Sequence, residues 1–438
     1  MKKSQNSIPV GKVNRASRFV RTGIQVGGNY VKHYAKRLVD PSTTRDELHN
    51  DNAEDIYNSL SELKGSALKV AQMMSMDKNM LPRAYAEKFQ LSQYSAPPLS
   101  GPLVVKTFRE AFGKAPQAMF DRFNMEAMNA ASIGQVHEAW KDGTRFAVKI
   151  QYPGVANSIS SDLKMVRPFA IRLLNLNEKE VDKYMAEVEE KLIEETDYEL
   201  ELRRGQEIAQ ACGHLHDLDF PTYYPEFSSR RILTMDWMEG LHLDDFLKTH
   251  PSQETRNRLG QALWDFYEYQ IHTLQQVHAD PHPGNFLMRA NGTLGVIDFG
   301  CVKVLPPQFY RNYFALLYKN TLGDQERLDR ILYELEFFTP QDTEKEKDFF
   351  RDIFLTMIEL LGRPFSQPTF DFSNDAYFEE IYALSEKLSA MPEIRESKVA
   401  RGVKDTLYVN RTYFGLYSIL NLLGATVHTE ATPMKESA

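Results

Sequence analysis

The residues of this chain best suited to chemistry lie in two short runs. One is His278-Ala279-Asp280-Pro281-His282-Pro283-Gly284-Asn285, and the other is Val296-Ile297-Asp298-Phe299-Gly300. Asp280 and Asn285 stand five residues apart, and Asp298 follows Asn285 by 13. Phosphoryl transfer needs an acid near the attacking oxygen and a cage of hard oxygen ligands for magnesium, because its catalysis is mostly positioning and charge neutralisation. A surface loop with capping aspartates explains neither the joint spacing nor the short strand, Leu294–Ile297, between the two runs. A zinc triad of His278, Asp280 and His282 is a weaker reading, since His282 lies between prolines and Asp280 already has a role.

An Asp with an Asn five residues later is the spacing of a kinase catalytic loop, and an Asp in Asp-Phe-Gly after a short strand is a kinase's main magnesium ligand. The complementary half of a nucleotide site is legible upstream. Ala147-Val148-Lys149 ends a strand after a hairpin, where a lysine reaches the α- and β-phosphates and pairs with a helix glutamate. A helical pattern over Val181–Ala211 offers Glu194, Glu195, Asp197 and Glu201, with Asp197 and Glu201 four apart on one face. A glycine-rich loop should bridge the hairpin, but the chain reads Asn129-Ala130-Ala131-Ser132-Ile133-Gly134. Alanine restricts the backbone and hinders close approach to phosphate. Ala130, Ala131 and Ser132 are therefore expected to hold nucleotide differently from a glycine-rich loop. No Ala-Pro-Glu segment follows Asp-Phe-Gly, and Cys301 to Pro307 leads straight on. That argues against a docked peptide substrate.

These groups need elements to position them. Leu60, Leu63, Ala67, Leu68, Ala71 and Met74 recur at helical steps within a helical block from Ser42 to about Tyr94. Pro97-Pro98 and Ser100-Gly101-Pro102 break it, and a helix follows over Leu103–Phe112. The period then changes to strands at Ser132–Trp140 and Arg145–Ile150, joined by Asp142-Gly143. Short strands are expected near Arg231–Met235 and Leu294–Ile297. From Gln308 onward the pattern is helical, with turns at Pro340, Gly362-Arg363-Pro364 and Pro392. Trp237 lies where a kinase hinge would contact adenine, and reads equally well as core.

Composition sets the outer bounds. The chain has 438 residues, 42% hydrophobic and 26% charged, which is globular and excludes wholesale disorder. Its formal charge of −8 argues against a generic nucleic-acid binder. Cys212 and Cys301 cannot form a disulfide framework or a cysteine-rich zinc site, and they suit a reducing compartment. Nine lysines and arginines precede the first acid, Asp40, which leaves −17 for the rest. Val13, Phe19, Val20 and Ile24 interleave with those arginines, so residues 1–40 could lie on an anionic membrane surface. The same segment also fits a solvated helix, a disordered basic tail or an organelle transit peptide. No secretory signal is visible. Tyr413–Val427 is apolar but shorter than the ~20 residues a spanning helix needs, and it reads as a buried C-terminal helix.

With these motifs on the page, the chain from about Ser61 to Pro306 resembles the UbiB/ABC1/ADCK (AarF-like) family of atypical kinases. The alanine-rich loop, Ser132-Ile133-Gly134-Gln135-Val136-His137, the Lys149 strand, Glu195-Thr196-Asp197-Tyr198 and the two chemical runs occur in that family's order. Lys69-Val70-Ala71-Gln72 resembles its Lys-x-Gly-Gln hallmark. The resemblance implies an α+β, two-lobed protein-kinase-like fold, mostly helical, with an N-terminal helical extension over the active site. It implies a basic segment at 1–40, the extension at 41–125, an N-lobe at 126–235 and a C-lobe at 236–438. By the same resemblance Lys149 pairs with Glu201, Asp280 takes the catalytic position, and Asn285 and Asp298 hold magnesium. Lys69 and Gln72, facing Glu195 and Asp197, gate access and exclude peptides. The implied cofactors are ATP and Mg2+. The implied activity is a weak ATPase supporting isoprenoid quinone (ubiquinone) synthesis, with a lipid or isoprenoid-like small molecule and quinone-pathway enzymes as partners. The expected location is cytoplasmic, peripheral at a membrane. Three departures stand out: Ala71 in place of Gly, Asn129 in place of the loop's first Ala, and no membrane-spanning segment. Two rivals make different predictions. A small-molecule phosphotransferase of the aminoglycoside-kinase type would have an open acidic substrate cleft, and a nucleotide-sensing scaffold would bind ATP without turnover.

Overall fold

A computed structural model describes residues 99–130, 133–174, 178–395 and 401–429. The expected basic segment, the helical block from Ser42 to Tyr94, Lys69, Gln72, Ala131 and Ser132 lie outside the described residues. The chain divides into two compact units, which interleave along the sequence. The first comprises the described residues up to Gln206 together with Pro221–Trp237, and the second comprises Glu207–Phe220 and the chain from Met238 onward.

The first unit is built on an antiparallel sheet. Its strands are β1 (Arg122–Phe123), β2 (Asn129–Ala130), β3 (Gly134–Lys141) and β4 (Thr144–Gln151); β5 (Leu218–Asp219) belongs to the second unit, and β6 (Ile232–Asp236) returns to the first. The order is β1-β3-β4-β6, with β2 also on β3. The expected hairpin forms with Lys141 opposite Thr144. Asp142 and Gly143 both take left-handed φ, 49° and 78°, the geometry that matches strand twist in a two-residue turn. Phe108, Phe120, Phe123 and Phe146 form a buried aromatic core on this sheet, with Phe108–Phe123 centroids 5.4 Å apart at 81°.

Its helices are α1 (Gly101–Phe112), α2 (Val155–Leu174), α3 (Glu178–Glu195) and α4 (Tyr198–Cys212), the last continuing into the second unit. Helix α1 begins earlier than Leu103 because Pro102 suits the first turn, where its missing N–H is no loss. The sequence pattern did not announce α2, because its interior Pro168 argues against a helix. The single helix expected over Val181–Ala211 is two helices. They part at Thr196-Asp197, where Asp197 Oδ1 accepts the Leu200 N–H at 3.1 Å as an N-cap. Asp197 therefore precedes the helix that carries Glu201 and does not share a helix face with it.

The second unit is mainly helical. It contains α5 (Leu243–Leu247), α6 (Gln253–Tyr269), α7 (Pro307–Ala315), α8 (Lys319–Leu322), α9 (Gln325–Glu334), α10 (Glu344–Leu361), α11 (Asp375–Ala390), α12 (Pro392–Arg395) and α13 (Lys404–Leu423). Small sheets join β7 (Gln276–His278) to β10 (Val302–Val304), and β8 (Phe286–Met288) to β9 (Leu294–Val296) with β5 alongside. The helix expected over Tyr413–Val427 instead ends at Leu423, and Thr426–His428 forms β12 against β11 (Thr369–Asp371). Gly424 takes φ 60° and closes the helix, a common way for the last carbonyls to be satisfied. No helix among the described residues is long and apolar enough to cross a membrane.

Candidate active site

In the first unit Lys149 sits on the central strand β4, opposite Val136 of β3 and Leu233 of β6. Its ammonium lies 2.8 and 3.0 Å from the two carboxylate oxygens of Glu201, on the first turns of α4. Both side chains are almost wholly buried, at 8% and 2% exposure. The Tyr198 ring also lies 5.1 Å from the ammonium. Desolvating two charges is expensive, and a two-oxygen contact offsets that cost only while both partners remain. The expected Lys149–Glu201 pairing is thus brought together in space. Glu195 closes α3 in a buried position, and Asp197 caps α4. The break between them is held from β4, where the Gln151 amide donates to Thr196 O at 3.0 Å.

Other residues of this unit stand out only in three dimensions. Gly134 has no room for a side chain, since a Cβ there would lie 2.4 Å from Ile150 O. Gln135 and His137 are fully buried and linked, with Gln135 Nε2 2.7 Å from His137 Nε2. His137 Nδ1 lies 2.8 Å from Asn124 O, and Gln135 Oε1 accepts the Leu99 N–H at 2.7 Å. A carbonyl can only accept, so Nδ1 carries the proton and Nε2 accepts from the amide. Burial lowers the His137 pKa to about 4, so the ring is neutral at pH 7. These hydrogen bonds anchor Leu99 to the sheet. The Ser-Ile-Gly-Gln-Val-His run hinted at importance, but not at this role. Ala130 pairs through its backbone with Gln135. Trp237, at the expected hinge, donates its N–H to Arg145 O, and the Arg145 guanidinium covers its ring at 4.4 Å.

In the second unit the two chemical runs fold against each other. Ile297 N–H donates to Asn285 O at 3.1 Å, continuing the β8–β9 ladder. Asn285 is thereby placed beside Asp298. The Asn285 amide nitrogen donates to Asp280 O at 2.9 Å and lies 3.3 Å from Asp280 Oδ2. His282 Nδ1 accepts the Gly284 N–H at 2.9 Å, which closes the short turn between them. The Asp298 carboxylate accepts the Gly300 N–H at 2.9 Å. Asp280, Asn285 and Asp298, picked out by spacing alone, are gathered in one place. Because the Asn285 nitrogen is committed to Asp280, its carbonyl oxygen is the atom left to serve as a ligand. That oxygen and the Asp298 carboxylate are hard donors. Together they fit magnesium, which takes one or two protein ligands and completes its shell with phosphates and water. The histidines serve the loop: His278 contacts Asp298 O and Tyr267, and among the described residues no cluster of three His, Cys, Asp or Glu could hold a metal. Cys301 packs with Ala279 and Tyr408.

Gly415 on α13 was missed by the motif reading. A Cβ there would lie 2.3 Å from Pro281 Cγ and 2.8 Å from Pro281 O, so a glycine lets the helix press against the residue after Asp280. Nothing in the local sequence joins position 415 to position 281; only the tertiary packing does.

A mixed helix-and-sheet chain with a buried strand lysine, its helix glutamate and an Asp-Asn-Asp ladder has a kinase-like fold. The chain belongs to the ABC1 atypical kinase-like domain family, which matches residues 91–332. It is 28% identical to the mitochondrial atypical kinase COQ8 of Saccharomyces cerevisiae, over 97% of this chain and 84% of that one. It is 25% identical to a probable serine/threonine-protein kinase, abkA, of Dictyostelium discoideum, over 98% and 80%. Among solved structures, a Mycobacterium tuberculosis protein in complex with erythromycin aligns at a TM-score of 0.60. That alignment has 25% identity and covers 88% of this chain and 95% of that one.

Proposed function

We propose that this atypical kinase binds Mg-ATP, hydrolyses it slowly, and couples turnover to isoprenoid-quinone or related lipid metabolism at a membrane surface. The observation that carries the nucleotide reading is the buried Lys149–Glu201 pair, a costly arrangement that suits a lysine held ready for phosphate. Glu201 orients Lys149, and Lys149 grips the phosphates. Asp280 positions the attacking water or hydroxyl, steadied by the Asn285 amide. Asn285 and Asp298 would hold magnesium, which when bound neutralises charge developing on the phosphoryl oxygens. The alanine-rich stretch Ala130, Ala131 and Ser132 borders the nucleotide. Lys69 and Gln72, acting with Glu195 and Asp197, would restrict entry to small or lipid-like acceptors.

The lipid half of the proposal is supported by the COQ8 relative, whose name places it in mitochondria, and by the nine bases that precede Asp40. The test is ATP hydrolysis with magnesium, with and without anionic liposomes, comparing the parent with Asp298→Asn. Hydrolysis that rises on liposomes and vanishes in the variant is the expected result. Binding of ATP with no turnover under either condition would overturn the ATPase reading and leave a nucleotide-sensing scaffold.

A further inference from the structure

Helix α13 carries groups that the nucleotide chemistry does not use, and Asp405, Tyr408 and Gly415 among them meet the segments that hold Asp280 and Asp298. Strand β7 runs into Asp280, and β10 follows Asp298-Phe299-Gly300. The two strands pair, with Val302 opposite His278 and Lys303 opposite Val277. The Ala279 N–H donates to Cys301 O at 2.8 Å, which extends the pairing to the residue before Asp280. Whatever fixes β10 therefore fixes the approach to both acids. Only residues 301–306 separate Gly300 from α7, so no long segment after Asp-Phe-Gly is available to fold back and brace the site.

Lys303 is the charged residue of β10. Its ammonium lies 3.0 Å from Asp405 Oδ1, on the first turn of α13, with the two side chains only 17% and 13% exposed. That oxygen is enclosed and accepts no aligned hydrogen bond among the described residues, so the contact is held by charge. Leaving either charge alone in such a place is costly, which ties the partners more firmly than an exposed pair. The N-terminal end of a helix also favours a carboxylate, so α13 itself stabilises the Asp405 charge. One turn on, the Tyr408 ring lies 5.1 Å from the same ammonium and packs with Ala279 and Cys301. Gly415, further along, meets Pro281. Positions 405, 408 and 415 fall on one side of the helix, and that side backs both chemical runs.

We propose that Lys303 and Asp405 are positioning residues: their ion pair clamps the β7–β10 ladder to α13 and holds Asp280 and Asp298 in place for phosphoryl transfer. The proposal rests on the reading of those two acids as the chemical groups. Displacing a reacting group by about 1 Å can cost about a hundredfold in rate, so loss of the clamp should show in turnover before it shows in unfolding.

The experiment measures Mg-ATP hydrolysis and amide hydrogen exchange in the full chain for the parent, Lys303→Met, Asp405→Asn, the two combined, and Lys303→Arg. Each single variant that removes a charge should lower kcat about tenfold and leave ATP binding without magnesium unchanged, because Lys149 lies in the first unit. The combined variant should be no worse than either single one, since both act through one contact. Lys303→Arg keeps the charge and should recover most of kcat. Amide exchange over residues 277–286 and 298–304 should quicken in Lys303→Met, with no comparable change in the first unit. Asp405→Asn, which keeps the side-chain shape, gives the same comparison if Lys303→Met does not fold. Losses that multiply in the combined variant, a Lys303→Arg as impaired as Lys303→Met, or unchanged exchange in those segments would overturn the proposal. A parent without turnover would instead overturn the ATPase reading, and the exchange measurement would then decide the clamp by itself.

Discussion

The Nε2 nitrogen of His278 lies 2.7 Å from the main-chain oxygen of Asp298. A carbonyl accepts only, so Nε2 carries the proton, and Nδ1 faces the Tyr267 hydroxyl at 3.3 Å. The Tyr267 pKa is held well above its usual value, first by burial and then by the neighbouring Asp280 charge, so this hydroxyl remains a donor. His278 also receives support from its own strand, where its N–H donates to Gln270 Oε1 at 3.0 Å. The His278 imidazole therefore fixes the backbone of the expected magnesium ligand.

Replacing that imidazole should weaken metal-dependent turnover without touching a ligand. His278→Leu removes the imidazole's hydrogen bond to the Asp298 carbonyl, a loss of about 1 kcal/mol in stability, and should lower ATP hydrolysis about tenfold or more. His278→Gln can place a donor near the former Nε2 position and should recover part of both. Equal loss in the two variants, measured by hydrolysis rate and thermal midpoint, would rule out a hydrogen-bonding role.

The Lys149–Glu201 pair makes a sharper prediction because it is buried. Glu201→Leu and Lys149→Met each remove one charge of the pair and should each destabilise the first unit by about 3–5 kcal/mol. The double variant Lys149→Met/Glu201→Leu strands none and should be more stable than either single variant. All three should lose nucleotide affinity. Denaturant unfolding checks the energetic claim, and simple additivity of the two single losses would refute it.

Gly415→Ala places a methyl group against Pro281 at a separation no real contact tolerates. Overpacking of this kind costs about 1–3 kcal/mol, and the strain falls on the loop carrying Asp280. Hydrolysis should fall more than the thermal midpoint suggests, mainly in kcat. An unchanged kcat in a folded variant would show that the helix, not the loop, gives way.

His137 should shape the acid limb of stability. Its pKa is near 4 when folded and about 6.5 when unfolded, so the unfolded chain binds the extra proton between those values. Stability from this group is present above pH 6.5 and is lost as pH falls toward 4, amounting to about 3 kcal/mol at roughly 1.4 kcal/mol per unit. His137→Gln cannot take up that proton, so its stability should decline less steeply over the same window. Parallel curves for parent and variant would exclude His137 as a source.

The elements that sequence made legible were those with a strong local cause. Asp142-Gly143 marks a hairpin through its own backbone preference, and the Lys141–Thr144 register follows from it. The Asp280, Asn285 and Asp298 spacing was readable because a short turn joins Asp280 to Asn285 and one tight ladder carries Asn285 to Asp298. What escaped was non-local. Helix α2 keeps Pro168 in its interior, against local propensity, and Thr196-Asp197 divides one amphipathic pattern into two helices by capping. The stop at Gly424 and the strand after it depend on β11, far earlier in the chain. Gly415 gains its meaning only from the surface opposite it.

The chain path has a consequence for how this molecule is made. Leu218 in β5 waits for Leu294 in β9, while the stretch between them first returns to complete the other unit with β6. A nascent chain therefore exposes an unpaired strand until much of the second unit has left the ribosome, and closing so distant a pairing is slow. Neither unit can be obtained whole by cutting once. A fragment starting at Met238 lacks β5, and one ending at Gln206 lacks β6, so dissecting this protein into halves should yield aggregation-prone pieces rather than working parts.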